Sequence, residues 1–191
     1  MPATIVVACD TRELIGLRGR VPWDSREERL HFRALTLGKA VIMGRKTWQS
    51  LPKAFRPLPG RTNVVLSHNR EFRIGGPMVP QDHLRDALHP DVSGTTALVC
   101  ESLTAALGAY PDAAVIGGAD VYEQAVRDPA VTTIRMSFMK PCVTAGKYDV
   151  TAFPLEERAY FPSPSALAEQ CFRRGRIENH SEFTDVTWVR Q

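Results

Sequence analysis

Several features that define common classes of protein are missing from this sequence of 191 residues. No apolar run approaches the roughly 18 residues that cross a bilayer. The opening residues, MPATIVVACD, lack a basic region and an A-x-A cleavage pattern, so they predict a buried strand and not a signal peptide. The net charge is only +3, which is too mild to indicate a nucleic-acid or membrane partner. We therefore expect a globular protein of the cytoplasm.

Cysteine is scarce and scattered. The four cysteines, Cys9, Cys100, Cys142 and Cys171, include no C-x-x-C pair, and most of them stand in apolar or strand-like segments. This pattern predicts buried reduced thiols and gives no support to a disulfide frame or a zinc site. We expect no bound metal.

Short apolar runs alternate with helix-like segments along much of the chain. Buried strands are predicted at residues 4–9, 40–43, 63–66, 97–100, 113–116 and 133–138, and helices at 26–37, 47–51, 83–88, 103–108 and 121–127. This alternation is typical of an α/β fold with a mostly parallel, twisted sheet flanked by helices. The length predicts a single domain over residues 1–191.

The C-terminal part has a different pattern. Residues 170–176 and 182–190 mix polar and apolar positions and are joined by IENHS, which predicts a closing antiparallel hairpin. The densest basic run, RRGR at residues 173–176, is interpreted as an exposed turn between two strands.

The stretch VPWDSREERLHF contains three acids, of which one is a candidate for chemistry. Ser25 and Glu28 fit the S-x-x-E spacing of a capping box, so a helix is predicted to begin at Arg26. Glu28 shares one helical stripe with Phe32 and Leu35, whereas Asp24 precedes the helix and Glu27 is turned away from the stripe. Two interpretations stay open from the spacing: Glu28 only caps its helix, or it points inward with the apolar residues.

Polar and basic residues follow two predicted strands that a helical crossover connects. Arg45, Lys46 and Thr47 come after Gly44, and Ser67, His68 and Arg70 come after the next strand. Because such a crossover brings both strand ends to one edge of the sheet, these side chains could hold a terminal phosphate. The alternative is a solvated basic rim.

Two further segments could bind anions. In VIGGADVY a strand runs into Gly117 and Gly118 and then a helix, which suits a pyrophosphate, although a tight turn is the alternative. In RPLPGR the prolines and Gly60 fix the direction of Arg61, which suits a carboxylate, with a structural ion pair as the alternative. Neither G-x-G-x-x-G nor the Walker pattern is present.

The order of these motifs resembles that in the dihydrofolate reductase family. LIGLRGRVPW is followed by an acid five residues after the Trp, then by VIMGRKTWQSLP, RPLPGR, NVVLS and VIGGADVY. The resemblance runs from Ile5 to YDVTAFP at residues 148–154 and is weaker in the final hairpin. It implies reduction of 7,8-dihydrofolate to tetrahydrofolate, with hydride transfer from NADPH to C6 and protonation at N5.

The resemblance also implies roles for individual residues. Glu28 matches the carboxylate that binds the pterin and favours protonation at N5 by way of water near Trp23, and Ser137 matches a hydroxyl residue that supports this acid. Arg61 matches the residue that holds the substrate's glutamate α-carboxylate. The full set of expected substrate-binding residues is Val6, Val7, Glu28, Arg29, Phe32, Leu51, Arg56, Leu58, Arg61, Ile116 and Tyr122.

The cofactor expected from the resemblance is NADPH. The basic and hydroxyl residues at the two strand ends match the site of its 2′-phosphate, and the segment 15–23 with Ala8 matches the enclosure of the nicotinamide. Gly117 and Gly118 match a pair joined by a cis peptide bond against the pyrophosphate. The expected cofactor-binding residues are Ala8, Ile15, Gly16, Val21, Gly44, Arg45, Lys46, Thr47, Leu66, Ser67, His68, Gly117, Gly118, Ala119, Asp120, Val121, Tyr122 and Gln124.

The sequence departs from the family pattern at four places. Arg29 stands where an apolar residue usually faces the substrate's rings, Ala119 replaces a third glycine, Asp120 adds a negative charge near the pyrophosphate, and KAF lengthens the loop before Arg56. The partners expected are dihydrofolate and antifolate inhibitors, with no nucleic acid and no membrane, and we expect a monomer. Two alternatives remain: a reductase of riboflavin synthesis that shares the fold, and a binding-only relative that has lost the reaction.

Overall fold

The structure is a computed structural model that describes residues 2–69, 72, 74, 96–162 and 171–191. Its centre is a sheet of eight strands in the order β5-β4-β3-β6-β1-β7-β10-β9, and a second sheet pairs β2 with β8. The strands are β1 Ala3–Cys9, β2 Leu14–Leu17, β3 Ala40–Gly44, β4 Thr62–Leu66, β5 Thr96–Cys100, β6 Ala114–Val115, β7 Val131–Met139, β8 Arg158–Tyr160, β9 Phe172–Asn179 and β10 Phe183–Arg190.

The main sheet is parallel from β5 to β7 and antiparallel beyond it. β1 pairs in parallel with both β6 and β7, and β3 pairs in parallel with both β4 and β6. β10 then pairs antiparallel with β7 and β9, so the chain ends in a hairpin at the sheet edge. The predicted α/β fold with a mostly parallel sheet and an antiparallel C-terminal hairpin is confirmed.

Helices connect the parallel strands, and local signals explain where several of them begin. The Ser25 hydroxyl accepts a 3.0 Å hydrogen bond from the Glu28 backbone N–H at the start of the first helix. Ser102 caps the third helix in the same way through the Ala105 N–H. The helices are α1 Arg26–Thr36, α2 Arg45–Ser50, α3 Leu103–Ala109, α4 Ala119–Arg127 and α5 Pro141–Thr144.

Two groups of apolar side chains cover the two faces of the sheet. The larger group packs α3 and α4 against the sheet through residues such as Ile5, Val115 and Ile134, which are at most 1% exposed. The smaller group contains Val6, Val41 and Ile116, and Phe32 and Leu35 of α1 pack against it. Since strand residues alternate between faces, Ile5 and Val6 contribute to opposite groups. The interior-facing stripe predicted for α1 is confirmed.

The small sheet was not predicted. β2 pairs antiparallel with β8, and the Arg18 backbone N–H donates a 2.7 Å hydrogen bond to the Glu157 carbonyl just before β8. Strands of four and three residues carry too little alternation to be distinguished from a loop. This sheet fixes the segment between β1 and α1 against the later part of the chain.

Two predictions about local structure are wrong. The run at residues 173–176 is not a turn but part of β9, where Arg173, Arg174 and Arg176 are exposed on a strand that pairs with β10 at the edge of the sheet as far as the structure describes it. An edge strand tolerates such charges because much of it faces water. Cys142 is exposed on α5, whereas Cys9 and Cys100 are buried as expected and Cys171 is half-buried.

Other predicted elements differ in extent. The strand predicted at 113–116 is reduced to the two residues of β6, and α2 begins at Arg45, two residues earlier than predicted. The helix predicted at 83–88 lies outside the described residues. In the part of the chain that the structure describes, none of the helices has the length and apolar character needed to cross a membrane.

Candidate active site

A cleft of about 1670 Å³ opens along the carboxyl ends of the parallel strands, where ligands of open α/β sheets bind. One end lies between α1 and the loop before β4, and the other lies between the starts of α2 and α4. Most of the predicted site residues line it. They are Val6, Val7, Ala8, Ile15, Gly16, Val21, Glu28, Arg29, Phe32, Gly44, Arg45, Lys46, Thr47, Leu51, Leu58, Arg61, Leu66, Ser67, His68, Ile116, Gly118, Ala119, Asp120, Val121, Tyr122 and Gln124.

Glu28 is the acid of α1 that faces the cleft. Burial raises the pKa of its carboxyl group from 4.5 to about 7, although the positive charges of His31 and Arg29 act in the opposite direction. The other two acids have surface partners. Asp24 is exposed and paired with Arg29, and Glu27 accepts hydrogen bonds from the Ser181 hydroxyl and the Glu182 backbone N–H. Glu28 is therefore the one of the three that can exchange a proton near neutral pH inside a cleft.

Arg61 is a buried cation at the α1 end of the cleft. Its side chain donates 3.0 Å and 3.1 Å hydrogen bonds to the Pro59 carbonyl and the Thr36 hydroxyl, and it lies over the Phe32 ring. Burial and the nearby charge of Arg33 lower the pKa of its guanidinium. Within the described residues, no carboxylate forms an ion pair with Arg61, so the alternative of a structural ion pair has no support there. A fixed buried guanidinium with spare donors suits an incoming carboxylate.

Apolar side chains form the walls between Glu28 and Arg61. Phe32 and Leu51 are partly buried, and Leu58, Val6 and Ile116 are buried at the cleft surface. The Leu58 backbone is held by Asn63, whose side-chain oxygen accepts a 2.9 Å hydrogen bond from the Leu58 N–H and whose amide group donates to the Leu58 carbonyl. Such a wall favours a flat aromatic ligand with polar groups at its two ends.

At the centre of the cleft, glycines bring the backbone close to neighbouring side chains and leave little room for a Cβ atom. A Cβ atom at Gly117 would lie 2.8 Å from the Tyr122 ring, and one at Gly44 would lie 3.2 Å from Val121. The peptide bond between Gly117 and Gly118 is cis, as the family resemblance implied. Among the described residues no side chain caps α4, which begins directly after Gly118, so the N–H groups of its first two residues, Ala119 and Asp120, are available where these residues line the cleft. This arrangement fits a pyrophosphate group.

Cations and hydroxyl groups collect at the adjoining strand ends. Gly44 pairs with Leu66 at the last position of the β3–β4 register, so the residues after each strand are neighbours. Arg45 is half-buried, whereas Lys46 and His68 are exposed and Ser67 is buried. The predicted convergence of these two segments is confirmed, whereas Arg70 lies outside the described residues.

Four predicted residues are set back from the cleft surface. Trp23 and Ser137 are buried behind it, Trp23 in a small cluster with Met139 and Phe183 against which Ala8 packs. Gly117 lies beneath α4, and Arg56 lies over the Trp48 ring and donates to the Gln49 carbonyl. None of these four is among the residues that line the cleft.

Sequence reasoning missed one side of the cleft. Glu156, Glu157, Arg158, Ala159 and Tyr160 line it from the β8 segment, and Arg18 and Arg20 line it from the loop that β8 holds. Glu101 and Ser102 line it after β5. Arg18 and Arg20 fall within the segment 15–23 that the resemblance expected to enclose the nicotinamide. Of the other residues, only Glu101 could have been indicated, by its position directly after a predicted strand.

The fold and the cleft together define an α/β enzyme built for a phosphate-bearing cofactor and a flat ligand with a carboxylate. A family model described as dihydrofolate reductase matches residues 3–167. The dihydrofolate reductase of Neisseria meningitidis is 33% identical over 172 residues, which cover 90% of this chain and 91% of that one. That of Mycobacterium tuberculosis is 39% identical over 122 residues, covering 64% and 63%.

A solved structure has the same fold. The dihydrofolate reductase from Enterococcus faecalis complexed with NADP(H) and RAB-propyl aligns with 100% of this chain and 96% of its own, with a TM-score of 0.68 and 20% identity. The chain belongs to the dihydrofolate reductase family. Its activity is that of the family, the NADPH-dependent reduction of dihydrofolate to tetrahydrofolate.

Proposed function

We propose that Glu28 is the acid of this reduction and that Arg61 anchors the far end of the substrate. One observation carries this proposal: two ionisable groups stand at opposite ends of one apolar wall. At one end is the Glu28 carboxyl group, whose pKa is raised, and at the other is the buried Arg61 guanidinium, which has no carboxylate partner among the described residues. Dihydrofolate has the complementary order of groups, with a nitrogen-rich ring first and a glutamate carboxylate last.

Glu28 binds the ring and controls its proton. The carboxylate accepts paired hydrogen bonds from the 2-amino group and the adjacent ring N–H, a geometry that suits two oxygens. Its negative charge then favours protonation of the substrate at N5, and a pKa of about 7 lets the group exchange protons under working conditions. Ser137 and Trp23, buried behind the cleft, support this acid from the β7 side without touching the ring.

The remaining residues bind, orient and exclude water. NADPH, when bound, supplies the hydride that is added to C6 of the substrate. Arg45, Lys46 and Thr47 hold its 2′-phosphate, and the N–H groups after Gly118 hold the pyrophosphate. The segment 15–23, fixed by β8, closes over the reacting rings and keeps water from them.

We infer that residues 1–191 form one domain that acts as a monomer in the cytoplasm. One continuous sheet contains strands from both ends of the chain, which supports a single domain. Sedimentation of the purified protein at working concentration tests the monomer, and a stable dimer would contradict it.

The test of function is the fall in NADPH absorbance when the purified protein meets dihydrofolate, repeated with methotrexate. A fall that methotrexate abolishes supports both the reaction and the binding cleft. Turnover of a ribosylaminopyrimidine but not of dihydrofolate would replace the proposal with the reductase of riboflavin synthesis. Bound NADPH with no oxidation under any folate would replace it with a binding-only protein.

A further inference from the structure

A group of charged residues lies behind α1, outside the cleft, and the proposed reaction does not use it. Asp185 on β10 is 1% exposed and faces His31 of α1, with its Oδ1 atom 3.6 Å from the His31 Nε2 atom. On its other side, Asp185 Oδ2 accepts a 2.9 Å hydrogen bond from Nε of Arg135 on β7 and a second one from Nη2. A buried carboxylate costs free energy unless it is paired, and Arg135 supplies such a partner for Asp185.

The His31 and Asp185 atoms that face each other have no other partner. Among the described residues, both His31 Nε2 and Asp185 Oδ1 are buried and lack a hydrogen bond. Burial would raise the pKa of Asp185, but the contacts with His31 and Arg135 outweigh it and hold this pKa below its usual value. An ionised carboxylate can only accept, so the hydrogen between the two residues belongs to His31 Nε2.

The position of this pair connects it to the proposed catalytic acid. His31 follows Glu28 by three residues on α1, so the two side chains are neighbours on one helix face. Asp185 stands directly opposite Ser137 in the β7–β10 register, so they point to the same face of the sheet. The charged pair therefore lies next to two proposed site residues: His31 is the neighbour of Glu28 on the helix, and Asp185 is the neighbour of Ser137 in the sheet.

The groups that surround the His31 ring can be named from each packed element. Glu28 and Arg29 lie on its own helix, Asp185 on β10 and Arg135 on β7. From the hairpin turn, the His180 ring is 5.2 Å from the His31 ring and is stacked on Phe183 at 4.2 Å. Glu178 on β9 lies 4.0 Å from Arg135. Asp185 is the only one of these groups whose carboxylate is in ion-pair contact with His31 within the described chain.

We propose that His31 is a positioning residue for the reaction: held against Asp185 and one helical turn from Glu28, it places positive charge behind Glu28 and favours the ionised form of that carboxylate. This inference rests on the proposed role of Glu28. A positive charge one helical turn from a partly desolvated carboxylate favours the ionised form of that carboxylate. At an effective dielectric constant between those of a protein interior and of water, it lowers the pKa of the carboxylate by about 0.5 to 1 unit. The electrostatic interaction of His31 with Glu28 lowers the pKa of Glu28 in the same way, although burial outweighs it.

The test is a titration of Glu28 that needs no catalysis. Protein with ¹³C-labelled glutamate carboxyl groups is titrated by NMR without ligand, and the Glu28 signal is identified by its loss in Glu28→Gln. In His31→Gln, which keeps a donor for Asp185 but no charge, the Glu28 midpoint should rise by about 0.5 to 1 pH unit. His31→Phe, which keeps the ring contacts, should raise it as well. Arg127→Gln, which removes an exposed cation paired with Glu123 on α4, is the control and should leave the midpoint unchanged.

A double-mutant cycle tests the anchoring by Asp185. In an Asp185→Asn background, His31→Gln should shift the Glu28 midpoint by less than half of its effect in the wild-type protein, because His31 no longer faces an anion. Equal Glu28 midpoints in the wild-type protein and both His31 variants would overturn the proposal, and an undiminished shift in the Asp185→Asn background would overturn the role of Asp185. If the protein fails to reduce dihydrofolate, the function falls but this titration still decides the coupling.

Discussion

The Gly44 backbone N–H donates a 2.7 Å hydrogen bond to the Gly117 carbonyl oxygen and so joins the ends of β3 and β6. Each of these glycines stands just before a helix whose first turn faces the cleft. The two segments that the sequence indicated as separate anion sites are therefore two sides of one site. A cofactor with a pyrophosphate and a further phosphate can span both sides.

Replacing Gly117 with Ala should damage this site. Gly117 has a φ of +102°, and an added Cβ would lie 2.8 Å from the ring of Tyr122, whose hydroxyl donates to the Val6 carbonyl. We expect Gly117→Ala to lower the free energy of unfolding by about 2 kcal/mol or more and to weaken NADPH binding at least about tenfold. Denaturant unfolding and a fluorescence titration with NADPH measure the two effects.

Gly108→Ala is the matched control for this substitution. Gly108 lies in α3, and a Cβ there would meet no atom of the described residues within 4 Å. Alanine favours a helix by about 1 kcal/mol over glycine, so this variant should be as stable as the wild-type protein or more so. Unchanged NADPH affinity in Gly117→Ala would show that the backbone at this junction does not touch the cofactor.

The sequence predicted the parts of the site that follow long buried strands. Gly44, Ser67 and Gly117 could be located because the strands before them are apolar runs with clear ends, and parallel strand ends meet at one edge. Glu28 could be assigned to the inward stripe because helix periodicity relates it to Phe32. The order of these motifs then identified the family, which short-range patterns alone do not establish.

The parts that could not be predicted depend on pairing over long distances. β8 is three residues long and acquires its role only by pairing with β2, some 140 positions earlier in the chain. RRGR was interpreted as a turn because its composition is typical of one, but pairing with β10 makes it an edge strand. The contact between His31 and Asp185 joins residues 154 positions apart, and no local pattern indicates it.

Replacing Glu28 with Gln should slow turnover without preventing NADPH binding. Turnover of dihydrofolate at neutral pH should fall at least about 10²-fold, the usual scale for a group that controls proton transfer. NADPH binding should persist, because the cofactor residues lie at the other end of the cleft. Steady-state kinetics and an NADPH titration measure these effects, and a near-wild-type rate would refute the role of Glu28.

The same variant has a testable effect on stability in the absence of ligand. The pKa of Glu28 is about 7 in the folded protein against an ordinary value of 4.5, so the folded state binds more protons between these values. The free energy of unfolding of the wild-type protein should therefore fall as pH rises from 4.5 to about 7. Gln carries no such penalty, so Glu28→Gln should be more stable than wild type by up to about 3 kcal/mol at about pH 8, at about 1.4 kcal/mol for each pH unit of the shift, and should show little gain near pH 4.5. A constant difference over this range would contradict the raised pKa.

Replacing Arg45 with Ala should change the choice of cofactor. Arg45 lines the cleft at the start of α2, beside Lys46 and close to the end of β4. If it binds the 2′-phosphate, NADPH affinity should fall about tenfold or more while NADH affinity changes little, because NADH lacks that group. Titrations of both cofactors give the ratio. Equal losses for NADPH and NADH would assign Arg45 to another part of the cofactor.

Arg61 offers a test of substrate anchoring. Arg61→Lys keeps the charge but loses the fork of donors that reaches Pro59 and Thr36. We expect KM for dihydrofolate to rise by about tenfold or more with a smaller change in kcat, since the α-carboxylate is bound alike in the ground state and the transition state. The control substrate is a dihydropterin without the glutamate, whose kcat/KM should be the same for both proteins. An equal loss for the truncated substrate would mean that Arg61 acts through the fold.

Arg29 stands where the family usually has an apolar residue, and its replacement tests what the charge does in the cleft. Its side chain lines the cleft at the α1 wall and pairs with Asp24, but both side chains are more than half exposed, so this pair contributes about 1 kcal/mol at most. Arg29→Leu adds apolar surface against the rings of a bound antifolate, and burial of that surface should tighten methotrexate about threefold to tenfold. Inhibition constants of both proteins measure this change, with Asp24→Asn as the control that breaks the ion pair without altering the wall. If Arg29→Leu instead weakens methotrexate and Asp24→Asn does not, the guanidinium binds the ligand directly, and the charge at this position belongs to substrate recognition.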